Sequence, residues 1–445
     1  MRSALLHPVL RHLRSTPWLI LSLAAAPLAC AVEPALTLPE AQRLAAARSR
    51  QLVAQDSAAL AAREMALAAG QLPDPTLKFG IDNLPVTGPD AYSATADFMT
   101  MRRIGLMQEF TRGGKRQLRA ERFERDAERS LAEKSALLAV IQRDTALAWL
   151  DRYYAEAMAA AVAQQAREIG LEVEAAENAY RAGRGSQVEV FAARSAKAGL
   201  DDRASEIGRR IRTAKTMLAR WVGTAAESPL AGKPDTDAIR LDSSSLETQL
   251  AHHPQIATLT RQMELAATEA KLAQANTKAD WSVEAAYQQR GSAYSNMISI
   301  GVSIPLQWDQ RNRQGREVAA KLALADQAEA QREEALRAHI SEVRTQIQDW
   351  ENGRERRARY ERELLPLARE RTQAALAAYR GSRASLAEVL AARRNETEVR
   401  VQALQLEMET ARLWAQINFM IPDEAASRHA SSAANFPVNP ARETQ

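Results

Sequence analysis

The sequence predicts a mostly helical protein with a small β part, and three observations support this. Only 5% of the 445 residues are aromatic, and helix-favouring Ala, Leu, Arg, Glu and Gln dominate. Two very long stretches, near residues 115–180 and 311–380, carry apolar residues at helical spacing. Four short segments instead alternate between apolar and polar residues, as half-buried strands do. We therefore expect long antiparallel helical hairpins joined to four strands.

Residues 1–31 have the pattern of a secretory signal peptide. A basic start precedes an apolar run over 18–26, and the small residues Ala29 and Ala31 offer a cleavage site. A retained transmembrane helix would need about 20 apolar residues, and this run is shorter. Cys30 allows a second kind of processing, in which its thiol is acylated. In either case we expect the chain to leave the cytoplasm.

Charge and cysteine content exclude several classes of function. The formal net charge is +4, and Arg2, Arg11 and Arg14 of the leader supply three of these charges, which leaves +1. Nucleic-acid binding thereby loses its main support. A single cysteine excludes an intramolecular disulfide and a Cys-based zinc site. His252 and His253 precede a predicted helix and are expected to start it. Because no catalytic or phosphate-binding motif stands out, we expect neither an enzyme nor a cofactor or metal site.

An internal repeat organises the chain. Residues 180–194 match residues 379–393 at an offset of 199 positions (379 − 180), with nine identities and no gap. The order of helix, two strands, long helix, turn and returning helix also occurs twice. The predicted organisation is a signal peptide (1–31), a first repeat (32–222, strands near 76–84 and 102–111), a linker (223–242), a second repeat (243–421, strands near 280–289 and 297–306) and a disordered tail (422–445).

The predicted helices are long enough to pack side by side along most of their length. In the first repeat they run over 38–69, 115–180 and 186–222, and in the second over 244–278, 311–380 and 385–420. At about 1.5 Å per residue, the helix over 115–180 would span about 100 Å. Its apolar stripe suits coiled-coil packing against a partner helix. A purely structural coiled coil would show the same stripe.

Each of the four strands would have one apolar and one polar face. Such a face fits a soluble sandwich or a membrane barrel, and the strand lengths suit a bilayer. Four strands are too few to enclose a pore, and lipid does not tolerate open sheet edges. Three copies would supply twelve strands and a sleeve of long helices. The residues expected to face lipid are Trp281, Val283, Tyr287, Ile298, Ile300, Val302 and Ile304.

The order of these features resembles the TolC family of bacterial outer-membrane efflux ducts. The motifs that carry the resemblance are residues 36–41 (LTLPEA), 71–75 (QLPDP) before the first strand, 303–306 (SIPL) after the fourth, and the two repeated turns. The resemblance implies a homotrimer with a twelve-stranded β-barrel in the outer membrane of a Gram-negative bacterium and an α-helical barrel in the periplasm. It also implies two partners, a periplasmic membrane-fusion adaptor and an inner-membrane RND-type pump.

Residues 304–315 (IPLQWDQRNRQG) are similar to the CzcC/CusC-like heavy-metal branch of this family. The expected function is therefore a passive conduit for exported substrate, with heavy-metal cations as the expected cargo. Two transport alternatives stay open, a drug-efflux duct and a type I protein-secretion duct. A secreted coiled-coil scaffold or adaptor without a membrane barrel is the alternative from another class.

The resemblance also implies which residues carry function. The two repeated turns would form the periplasmic tips that contact the adaptor, although ordinary helix–helix loops would look similar. Glu388 matches one of the family's acidic constriction residues, while Ala391 stands where a second acid is usual. Glu189 holds the equivalent place in the first repeat, and both glutamates would also suit a solvated helix face. The expected tip residues are Gly183, Arg184, Gly185, Ser186, Gln187, Gly381, Ser382, Arg383, Ser385 and Leu386.

Overall fold

The computed structural model describes residues 35–242 and 245–422. The expected signal peptide, Cys30 and the tail from 423 onward lie outside the described residues. Within them the chain is mostly helical with one small antiparallel sheet, which confirms the predicted fold class at this level. No helix in the described ranges is long and apolar enough to cross a membrane.

The elements occur in the same order in both halves of the chain. The first half contains α1 (Leu38–Arg48), α2 (Arg50–Ala69), β1 (Thr76–Asp82), β2 (Met101–Phe110), α3 (Gly113–Arg181), α4 (Gln187–Val222) and a 3₁₀ turn (Gly223–Glu227). The second half contains α5 (Leu246–Ala251), α6 (Pro254–Asn276), β3 (Trp281–Gln289), β4 (Met297–Ser303), α7 (Gln314–Arg359), a π-helical turn (Tyr360–Leu364), α8 (Leu365–Arg380) and α9 (Leu386–Asn418). The strands form one sheet in the order β1-β2-β3-β4, with β1 and β4 at its edges.

Two of the predicted helices are interrupted near their starts. The helix expected over 38–69 breaks at Ser49, whose backbone is extended and whose Oγ accepts the N–H of Leu52 at 3.3 Å. The break lets α1 contact both α3 and α4, whereas α2 contacts α3. The helix expected over 244–278 is divided before Pro254, where the Nδ1 of His253 accepts the N–H of Gln255 at 3.2 Å. The expected helix-starting role is therefore confirmed for His253.

The helix expected over 311–380 is also not continuous. It widens into a π-helical turn over Tyr360–Leu364, and the N–H of Leu365 donates to the carbonyl of Tyr360. Pro366 follows immediately and has no N–H to donate to the carbonyl of Arg362. A proline at this position explains why the regular hydrogen-bond pattern is lost one turn earlier.

The main hydrophobic core lies where the long helices meet the linker. Trp149 of α3, Trp350 of α7 and Trp414 of α9 are all buried in it. Each indole donates its N–H to a backbone carbonyl at 2.9 to 3.1 Å. The acceptors are the carbonyls of Leu36, Thr236 and Ala238, respectively. Because buried indoles need a hydrogen-bond acceptor, these contacts hold both the N-terminal segment and the linker against the helices.

Candidate functional site

The register of the sheet sorts its side chains onto two faces. The side chains of directly paired residues point to the same side of the sheet. Val283 of β3 is paired with Val302 of β4, and Tyr287 is paired with Ile298. The pairing of Tyr287 with Ile104 and of Ile104 with Phe79 extends this face over all four strands. Most of its apolar side chains are exposed in the single chain: Leu77, Phe79, Ile81, Ile104, Leu106, Trp281, Tyr287, Ile298, Ile300 and Val302. Ile304 lies just beyond the end of β4 and is also exposed.

The opposite face of the sheet carries an ion-pair network. Glu284 of β3 accepts from Lys78 of β1 at 2.9 Å and pairs with Arg103 of β2. Arg103 also lies 3.8 Å from Asp82 at the end of β1. The network therefore joins three strands, and it neutralises most of the charge on this face.

Gln108 is a polar residue within the apolar face, and its contacts explain its presence. The Nε2 of Gln108 donates to the carbonyls of Pro73 and Glu109, both at 2.8 Å. Close by in the sequence, Phe110 stacks on Trp281 with ring centroids 4.6 Å apart. These contacts fix the chain where it enters β1 and leaves β2, at the end of the sheet next to the helices.

The sheet is incomplete in a single chain. The outer edges of β1 and β4 have no strand beside them in the described residues. Open edges and a continuous exposed apolar face are unusual in a soluble monomer, and they mark a surface for lipid or for another chain.

The two helical tips, at the far ends of α3 and α8, have the same backbone geometry. Gly183 lies at φ +69°, and its repeat equivalent Ser382 lies at φ +55°. Two residues with equivalent roles, Arg184 and Arg383, donate their N–H groups to carbonyls of the preceding helix at 2.9 and 2.8 Å. The offset repeat in the sequence thus corresponds to a repeated turn.

Nearly all of the expected tip residues are at least partly exposed, but Leu386 is an exception. Its side chain is only 2% exposed and packs with Val190, Ala193 and Val389 in a small core between the two tips. Leu386 is therefore a packing residue within this chain, and its expected contact with a partner stays a prediction. The remaining nine residues form the accessible surface of the tips.

Both glutamates expected at a constriction take part in the N-terminal caps of their helices. The carboxylate of Glu189 accepts the N–H of Ser186 at 2.9 Å, and the Oγ of Ser186 accepts the N–H of Glu189. Ser385 caps α9 by accepting the N–H of Glu388 at 3.3 Å. The Ser-x-x-Glu spacing in each repeat was the available sequence signal for these caps. Glu388 is exposed and Glu189 partly so, and in the described ranges no three His, Cys, Asp or Glu side chains are grouped to hold a metal ion.

A buried ion-pair cluster, which the sequence reasoning missed, joins the two hairpins near the tips. Arg393 of α9 contacts both Glu168 and Glu172 of α3, and its side chain is only 13% exposed. Burial raises the pKa of Glu172, and the positive charge of Arg393 opposes this shift. Nothing in the sequence distinguishes this arginine from the many that lie on helix surfaces.

The chain is similar to known proteins at the level of structure. No protein-family model and no curated protein matched the sequence. Among solved structures, the outer-membrane channel OprN is similar with 18% identity and a TM-score of 0.71, over 86% of this chain and 89% of that one. CusC is similar with 15% identity and a TM-score of 0.73, over 87% and 92%. VceC from Vibrio cholerae is similar with 20% identity and a TM-score of 0.70, over 86% and 95%.

These similarities establish the fold of the chain. It is the fold of outer-membrane channel subunits over most of the described length, which confirms the TolC-family resemblance at the level of the single chain.

Proposed function

We propose that the protein is the outer-membrane channel of a tripartite efflux system and works as a homotrimer. The observation that carries this proposal is the sheet, whose exposed apolar face and two open edges stand at one end of the long helices. The proposal accounts for both features at once, because a closed barrel in lipid covers the apolar face and removes the edges. A secreted scaffold would leave both exposed to water.

Three copies would close the sheet by pairing β4 of each copy with β1 of the next. The resulting barrel would have twelve strands, with Phe79, Tyr287 and Ile300 facing lipid. The face that carries Glu284 and its basic partners would line the lumen. Strands of 7 to 10 residues that tilt in a bilayer are long enough for most of its apolar thickness.

The helices would continue the conduit into the periplasm. The proposed adaptor contacts are the exposed residues of the two turns, around Gly183 and Ser382, and the energy for transport would come from an inner-membrane pump. Three Glu388 side chains near one axis would repel one another and attract cations, which suits a hydrated constriction. Glu189, which is held by its cap, would contribute less to this constriction.

Heavy-metal cations are the proposed cargo. The support is the similarity of residues 304–315 to the heavy-metal branch and the presence of CusC among several similar channels. Drug efflux and protein secretion remain the alternatives. A strain that lacks the protein should become sensitive to metal salts and stay resistant to drugs and detergents, whereas the reverse pattern would overturn the proposed cargo without affecting the proposed channel.

Cysteine cross-linking tests the barrel directly. In a Cys30→Ala background, Phe79→Cys on β1 would be combined in turn with Ile298→Cys, Ile300→Cys or Val302→Cys on β4. One of these pairs should give covalent trimers in outer-membrane fractions.

The control pair is Ile104→Cys with Tyr287→Cys, which are directly opposite within one chain and should give only an intrachain bond. A mature protein that stays monomeric and dissolves without detergent would contradict the proposal.

A further inference from the structure

The apolar series of β4 continues past the end of the strand. Apolar residues occupy alternate positions along β4, and Ile304, Leu306 and Trp308 continue the same alternation beyond Ser303. Their exposure rises along this series, from 59% at Ile304 to 67% at Leu306 and 88% at Trp308. Trp308 is the most exposed large apolar side chain in the described ranges. The chain therefore leaves the sheet with an indole that lies outside its own core.

Hydrogen bonds fix this segment at the end of the sheet next to the helices. The Nε2 of Gln307 donates to the carbonyl of Asn276 at 3.3 Å, and the Nε2 of Gln310 donates to the carbonyl of Thr277 at 2.7 Å. Both acceptors lie at the end of α6, shortly before β3 begins. Because Trp308 lies between the two glutamines, it is positioned at the junction of the sheet and the helices.

The same junction carries exposed basic side chains. The Nε of Arg112 donates to the carbonyl of Ala279 at 3.1 Å, which ties the start of α3 to the segment that the two glutamines contact. The three arginines that follow Trp308 form no ion pair within the part of the chain that the structure describes. We call Trp308 and the basic residues of this junction the rim, and the basic residues are Arg112, Lys278, Arg311, Arg313 and Arg316.

The acidic groups of the junction do not cancel this charge. Asp280 is paired with Lys115, whose Nζ lies 2.9 Å from its carboxylate. Asp309 accepts an amide N–H of its own turn at 2.9 Å. Glu109 belongs to the opposite face of the sheet, and Glu317 is an exposed carboxylate on the first turn of α7. Positive charge therefore predominates on the rim.

We propose that the rim binds anionic phospholipid in the periplasm-facing leaflet of the outer membrane, with Trp308 among the headgroups and Arg311 and Arg313 on their phosphates. This inference rests on the proposed barrel, which places the helix end of the sheet at that leaflet. An indole has an apolar body and a polar N–H, so it prefers the boundary between hydrocarbon and water. Guanidinium groups bind phosphate through charge-assisted hydrogen bonds. An apolar series that ends in an indole and is followed by unpaired arginines fits a phospholipid surface.

The rim would set the depth of the barrel in the membrane. Moving the sheet further into the bilayer would bury the arginines in hydrocarbon, which is costly, and moving it outward would expose its apolar face to water. Phe110 and Trp281, which stack with ring centroids 4.6 Å apart at the same end of the sheet, would complete the aromatic boundary. The motif over 304–315 thereby gains a role that does not depend on the cargo.

Quenching of tryptophan fluorescence tests the position of Trp308. The parent protein and Trp308→Phe would be reconstituted in vesicles of phosphatidylethanolamine and phosphatidylglycerol, brominated on acyl carbons either near the headgroup or deep in the chain. The difference between the two proteins isolates the emission of Trp308, which shallow bromines should quench more strongly than deep ones. Stronger quenching by deep bromines, or quenching by neither position, would overturn the inference, because the indole would then lie in hydrocarbon, in water or against protein.

A lipid titration tests the arginines. Phosphatidylglycerol with shallow bromines would be added to the detergent-solubilised trimer, and quenching of the Trp308 emission gives the half-saturating mole fraction of the lipid. Arg311→Gln and Arg313→Gln should each raise this fraction about fivefold, the effect of one basic residue at an anionic surface. Phosphatidylcholine with the same bromines should show no such shift. The matched control is Arg356→Gln with Arg359→Gln, exposed residues about 65 Å further along α7, which should leave the titration unchanged.

The inference and the proposed function fail separately. If both arginine variants bind phosphatidylglycerol as the parent does while the β1–β4 cysteine pairs still give trimers, the rim does not bind the lipid and the channel proposal stands. Absence of every trimer in the parent protein would instead contradict the proposed function.

Discussion

Acidification should weaken the packing of two buried imidazoles at the junction of α6, α7 and α9. His253 and His339 lie with ring centroids 4.3 Å apart, beside a cavity of about 580 Å³. Burial and the neighbouring His339 lower the pKa of His253 to about 4. Burial also lowers the pKa of His339, although Glu342 lies 4.0 Å from its Nδ1 and opposes this shift. Arg143 and Asp144 of α3 face the same cavity.

The sign of the effect follows from proton binding. An unfolded chain binds a proton at His253 near the ordinary pKa of 6.5, while the folded chain binds it only near 4. The folded state therefore loses stability as the pH falls through this window. The full loss below pH 4 is about 3 kcal/mol, since one pKa unit corresponds to about 1.4 kcal/mol. About 2 kcal/mol of it should already be lost at pH 5.

The assay compares the free energy of unfolding, or the thermal midpoint, at pH 7 and pH 5 in detergent. His253→Asn keeps a helix-capping acceptor but removes the titrating ring. This variant should lose less stability between the two pH values than the parent protein. Its absolute stability will also fall because the ring contacts disappear, so the difference between pH values is the quantity to compare.

The matched control is His252→Asn, which changes the adjacent histidine outside the His253–His339 ring pair and should keep the parent's pH dependence. If His253→Asn and the parent lose the same stability between pH 7 and pH 5, burial of His253 is not the source of the acid sensitivity. That result would refute the reasoning.

Four further substitutions test the geometry of the helices and tips by chemical or thermal unfolding. Gly183→Ala should cost about 1 kcal/mol and Ser382→Gly should gain a similar amount, because both positions have positive φ. Opposite signs are required, and equal signs would contradict the assignment of backbone strain. Arg393→Ala should cost about 2–3 kcal/mol because it leaves two carboxylates in a buried contact without their cation, and a neutral result would exclude a structural role. Gly353→Ala should cost about 1–3 kcal/mol, since a Cβ there would lie 2.5 Å from the Oγ1 of Thr410, and an unchanged midpoint would show that α7 and α9 can separate.

The sequence predicted the strands and long helices because their patterns are local. Period-two alternation located β3 and β4 to within a few residues, and the match at 180–194 and 379–393 located both tips. Local patterns did not reveal the break at Ser49, where no glycine or proline stands. They did contain two signals that were not used, Pro366 before the π-helical turn and the Ser-x-x-Glu caps at both tips.

Hydrophobic periodicity and the repeat by themselves determined the fold class, the equivalence of the two hairpins and the two-faced strands. Each of these can be recognised from short continuous segments of the sequence. Only the tertiary structure decided which arginine is buried between carboxylates and which remains on an outer face. Arg194 and Arg393 have nearly the same sequence surroundings, and they differ because α9 packs on α3 of the same chain whereas the outer face of α4 has no such neighbour. Such contacts join residues more than 200 positions apart, and no local pattern records them.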